Sequence, residues 1–145
     1  MRYAYPCQIT VHEGDEFVVS FPDVAGVVTG ANDRAEALEL AEDALSGALA
    51  GYVERRVAIP VPSAVVDGQE IVAVDPVTAA KLELYTAMRD QGITKHALAG
   101  RLGLSDTTVG RLTNPDRRSR IDHITRALRA VGRSRVIEGR ADPVR

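Results

Sequence analysis

The side chains best suited to reading a partner are concentrated in and around residues 93–112, which run ITKHALAGRLGLSDTTVGRL. Ser105, Asp106, Thr107, Thr108 and Arg111 lie close together, and all five are candidate DNA contacts, with donors or acceptors that can meet base edges in a groove. Lys95 upstream, and Arg117 and Arg118 downstream, are cations of the kind that neutralise backbone phosphates without reading sequence. This chemistry requires a short helix presented by its N-terminal end. The flanking residues must build that helix and hold it.

They are ordered to do so. Thr94 is a candidate N-cap, since its hydroxyl can accept an otherwise unpaired backbone N–H. Leu98 and Leu102 then share one helical face with Ala99 beside them. Gly103 stands where a left-handed C-cap is wanted, and Ser105 caps a second helix whose Val109 and Leu112 face inward. Cap, small residue, glycine turn and second cap at this spacing predict a helix-turn-helix. An ordinary helical hairpin with a solvated face would show the same caps, so charge must separate the two readings.

The whole chain of 145 residues carries a net charge of only −2. That average conceals a split, because residues 1–74 carry −8 and residues 75–145 carry +6. Such asymmetry predicts two units, 1–70 and 71–145, with partners of opposite sign, the basic one suited to DNA.

Other chemistries find little support. A metal-dependent nuclease needs several carboxylates converging on ions about 4 Å apart. Asp15 and Glu16 fall in a turn, Glu36 at a helix start and Asp23 after a strand, so no two alternate along one strand. His12, His96 and His123 are scattered, and Cys7 is the only cysteine, which excludes an internal disulfide and any recognisable zinc site. The reading is therefore a non-enzyme without metal or cofactor. A ligand-sensing repressor is the alternative, although no residue pattern marks a pocket. No apolar run approaches the roughly 18 residues of a membrane span, and the first residues lack a signal core, so a cytoplasmic protein is expected.

The acidic half reads as strands around one helix. Residues 3–10 and 16–21 flank the turn Glu13-Gly14-Asp15 as a hairpin, and Val27-Val28 begins a third strand. Asn32 or Asp33 caps a helix with Leu38, Ala41, Leu45, Leu49 and Tyr52 at helical spacing. Residues 57–61 predict a fourth strand and residues 71–74 a last one. Asp75-Pro76 opens a helix with Ala80, Leu84, Ala87 and Met88 inward. After the turn Asn114-Pro115-Asp116, a last helix turns Ile121, Ile124, Leu128 and Val131 to one face. The fold class is α+β, a small sheet with a helix followed by an all-α unit.

Over nearly its full length the chain resembles the HicB family of antitoxins from bacterial type II toxin–antitoxin systems. The resemblance rests on Ser20-Phe21-Pro22-Asp23, Gly26, Gly30, the helix start Ala35-Glu36-Ala37-Leu38, Ala44-Leu45 and Ile59-Pro60-Val61-Pro62-Ser63. In the basic half it rests on Leu102-Gly103-Leu104-Ser105 and residues 127–132. Val27-Val28 departs from the family pattern. The resemblance implies a reduced RNase H-like first unit that blocks a HicA-type ribonuclease toxin, and a second unit that represses the operon of both. Phe21, Pro22, Asp23 and Val24 are the expected toxin contacts, since Pro22 ends a strand beside two apolar anchors. A helix-turn-helix covers one half-site, so a homodimer or higher even oligomer is expected on operator DNA.

Overall fold

The computed structural model describes residues 3–134. Four strands, β1 (Ala4–His12), β2 (Glu16–Ser20), β3 (Val28–Ala31) and β4 (Glu70–Ala73), form an antiparallel sheet in the order β3-β2-β1-β4. Five helices complete the fold: α1 (Arg34–Glu54), α2 (Pro76–Gln91), α3 (Lys95–Leu102), α4 (Asp106–Leu112) and α5 (Ile121–Ala130). The class is α+β, as the sequence predicts.

Strand alternation sets the first core. Tyr5, Cys7 and Ile9 leave β1 on one side, and the register brings Val72 beside Tyr5 and Val19 beside Ile9. Ala37, Ala41, Leu45 and Leu49 of α1 close over that face. Asp33 starts the helix by accepting the Ala35 N–H at 3.0 Å. A second core joins Leu84, Ala87 and Met88 of α2 to Leu98, Val109, Ile124 and Leu128. Helix α2 serves both cores, because fully buried Leu82 points into the first.

Three features depart from the sequence reading. Residues 57–61 form no strand: Pro60 and Pro62 have no N–H to give a ladder, and the segment is held instead by side chains. Tyr5 Oη donates to the Pro60 carbonyl and Tyr85 Oη to that of Val57, each at 2.7 Å. Ile121 is 40% exposed, since the first turn of α5 projects beyond the core that takes Ile124 and Leu128. The expected division between residues 70 and 71 falls within β4, which pairs with β1 from Ala4 to Cys7. Arg34 at the start of α1 also makes an ion pair with Glu70.

Candidate functional site

The residues expected to meet DNA lie on α3, on α4 and its cap, and on the loop that follows α4. Thr94 Oγ1 accepts the Ala97 N–H at 3.0 Å, and Gly103 takes φ 66° to close α3. Ser105 Oγ then accepts the Thr108 N–H at 3.1 Å to open α4. Leu98, Leu102, Val109 and Leu112 face the shared core, which leaves the other side of α4 to solvent.

On that outer side Thr107 and Arg111 are exposed and point away from every core contact. Thr108 is half-buried, and its hydroxyl lies 2.9 Å from Ser105 Oγ, so part of its hydrogen-bonding capacity goes to the cap. Asp106 pairs with His96 Nδ1 at 3.1 Å, a link from α4 back to the first turn of α3. Lys95 lies along α4, its Nζ 3.8 Å from where a Cβ on Gly110 would stand. Arg117 and Arg118 are exposed on the loop beyond α4.

That loop is fixed by a residue outside the sequence-predicted set. Lys81 of α2 is 1% exposed. Its ammonium donates to the carbonyls of Arg111 at 2.9 Å and Asn114 at 3.0 Å, to Ser119 Oγ at 2.9 Å and to the Arg117 carbonyl. Burial lowers its pKa below the ordinary lysine value, opposed by the nearby Asp75 carboxylate. One signal was present in the sequence: Lys81 shares a helical stripe with Leu84 and Met88, where a charge requires partners.

In the acidic half the expected toxin contacts divide. Phe21 at 5% and Val24 at 1% exposure are closed into the first core, so neither offers a free anchor. Pro22 is exposed and Asp23 half-buried. Asp23 Oδ2 accepts both the N–H and the hydroxyl of Ser63 at 2.9 Å, which joins the SFPD turn to the IPVPS segment. Val61, Val65 and Val66 are left exposed along that segment. Cys7 is buried, and desolvation raises its thiol pKa, the profile of a packed rather than a reactive cysteine. Among the described residues no group of three or more His, Cys, Asp or Glu could hold a metal, and no helix is long and apolar enough to cross a membrane.

Residues 4–83 match the family model described as the HicB-like antitoxin of bacterial toxin–antitoxin systems. The chain is 34% identical over 128 residues to Antitoxin HicB 1 of Photorhabdus laumondii, covering 88% of this chain and 81% of that one. It is 33% identical over 129 residues to Antitoxin HicB of Escherichia coli K12, covering 89% and 94%. The chain belongs to the HicB-like antitoxin family. Antitoxin HicB of Pseudomonas fluorescens is similar at 32% identity over 127 residues, covering 86% of this chain and 87% of that one. Membership makes the protein an antitoxin with a toxin partner and not an enzyme. The matched residues comprise the whole sheet, α1 and the first half of α2, which includes Leu82.

Proposed function

We propose that this antitoxin neutralises a HicA-type ribonuclease through its acidic half and represses its own operon through the α3–turn–α4 unit, acting as a helix-turn-helix. The observation that carries the DNA half is the pair of capped helices that leaves Thr107 and Arg111 open on the basic half. Asp106 and Thr108, drawn partly into the cap and the His96 pair, take the edge of the base contact. Lys95, Arg117 and Arg118 bracket it as phosphate contacts. Two copies in a symmetric dimer would place their α4 helices roughly 34 Å apart on a palindrome. Such work places the protein in the cytoplasm.

Toxin contact in this reading centres on the joined turn. Pro22 and Asp23 face the partner, while Phe21 and Val24 hold them from beneath. The negative charge of residues 1–74 speeds encounter with a basic nuclease, and the exposed valines of 61–66 supply apolar contact.

Arg111→Ala tests the DNA half. It should cost about 1–3 kcal/mol on operator and relax sequence preference, while Lys95→Ala weakens operator and random DNA alike. Equal loss on both DNAs for Arg111→Ala rejects the assignment. For the toxin half, the full chain is co-expressed with the nuclease encoded beside it, and growth and co-purification are measured. A folded chain that neither rescues growth nor co-purifies rejects it.

A further inference from the structure

A groove of about 610 Å³ opens where the acidic and basic halves meet. Its walls come from four places in the chain: the end of α1 with Arg56, α2 with Arg89, the start of α3 with Lys95 and His96, and the end of α4 with Asn114. Three permanent cations thus face it against one carboxylate, Glu54. One of them, Arg56, belongs to the half that carries a net charge of −8.

Arg56 is held there by the way α1 ends. The Val57 N–H reaches back to the Tyr52 carbonyl at 3.1 Å, and Arg56 adopts φ 59°, a conformation usually filled by glycine. Arg89 Nη1 donates to the Arg56 carbonyl at 2.9 Å, and Tyr85 fixes the next carbonyl. Its neighbour Arg55 is turned away and stacked over the Tyr52 ring, 4.9 Å from its centroid. Of the two adjacent arginines, only Arg56 lines the groove.

The groove is continuous with the surface that α4 presents. Lys95 and Gly110 both line it, and Lys95 also lies along Gly110 of α4, so the groove that holds Arg89 and Arg56 borders α4. Exposed guanidinium groups in a lining that also holds polar Thr94 and Asn114 and apolar Ile93 suit a phosphate flanked by sugars.

We propose that this groove seats a phosphate of the operator backbone beyond the bases read by α4, and that Arg56 is a DNA contact supplied by the toxin-binding half. The proposal rests on the helix-turn-helix reading. It assigns the sheet-bearing half a direct share in DNA affinity, of a kind that carries no sequence information.

The experiment measures affinity of the full chain for an operator duplex, and for random DNA, across a series of KCl concentrations. Arg56→Gln and Arg89→Gln should each make the negative slope of log K against log salt shallower by about 0.9, equally on both DNAs. Arg56→Lys should restore the slope, and shortening the duplex beyond the half-site should shrink it for the wild type. Slopes unchanged in both glutamine variants, with tight wild-type binding, overturn the proposal and leave the helix-turn-helix reading intact. Failure of the wild type to bind any DNA removes that reading and the proposal together. Stabilisation by inorganic phosphate that Arg56→Gln abolishes, with unchanged DNA slopes, identifies a small-anion pocket and also overturns it.

Discussion

Replacing Lys81 by Met keeps the length of the side chain and removes its charge and donors. In the wild type one ammonium serves three carbonyls and the Ser119 hydroxyl, and Ser119 Oγ itself donates to Arg111 O at 3.2 Å. Hydrogen bonds from a charged donor are worth about 1.5–3 kcal/mol each, yet burying the ammonium cancels much of that sum. Asn114 is half-buried and Arg117 exposed, so hydration of their carbonyls should offset part of the loss. The net loss should be about 2–4 kcal/mol, a fall in Tm of roughly 6–12 °C. The pH dependence has a defined sign. Burial lowers the Lys81 pKa from 10.5, so between the lowered value and 10.5 the unfolded chain binds more protons than the folded one. Stability of the wild type relative to Lys81→Met should therefore rise with pH through that alkaline window and stay level below it. Thermal melts of both proteins at several pH values check this. A variant that melts with the wild type, or a difference that shrinks in the alkaline window, refutes the role given to Lys81.

Leu82→Ala empties a fully buried position in the sheet core and should cost about 2–5 kcal/mol in a denaturant titration. Asp23→Ala removes both bonds to Ser63, so limited proteolysis should cut within residues 57–66 faster than in the wild type, at a stability cost of about 1–2 kcal/mol. Glu42 is exposed on α1, yet partial desolvation of its carboxyl raises its pKa first, followed by the charges of Asp75, Asp43 and Glu39. Its ionised form therefore opposes folding above the raised folded pKa and does so no longer below the unfolded one. Because Glu42 is exposed and screened, Glu42→Gln should stabilise by only a few tenths of a kcal/mol at neutral pH, with the gain lost in acid.

Local signals were legible wherever one residue decides the backbone. Thr94, Ser105 and Asp75 cap the helices they were expected to cap, and Gly92 and Gly103 end theirs with positive φ. Each of these depends on neighbours within a few positions, so spacing alone exposes it. What sequence could not give was the partner of a residue far along the chain. Phe21 reads equally as an anchor or as core, and Val24 as an anchor, until the sheet and α1 bury both. Asp23 meets Ser63 across 40 positions and Lys81 meets Arg117 across 36, distances at which no periodicity carries information. Residues 57–61 have strand composition, but Pro60 has no N–H to give a ladder, and the partners of this segment, Tyr5 and Tyr85, stand 55 and 28 positions away.

Helix α2 shows how two neighbouring residues come to serve different halves. Successive helical positions are turned by about 100°, so Leu82 enters the sheet core while Lys81, one step earlier, faces the loop after α4. Tyr3 adds a second tie, its hydroxyl donating to the Glu83 carboxylate at 3.2 Å and lying 3.3 Å from the Thr86 hydroxyl, and Glu83 in turn pairs with Arg133 beyond α5. A cut before α2 would leave the sheet without Leu82, whereas a cut after it would leave the loop carbonyls without Lys81. The sheet core is complete only once the first turns of α2 are included, because Leu82 is part of it. Charge divides this chain near residue 75, but packing does not, because one helix belongs to both cores.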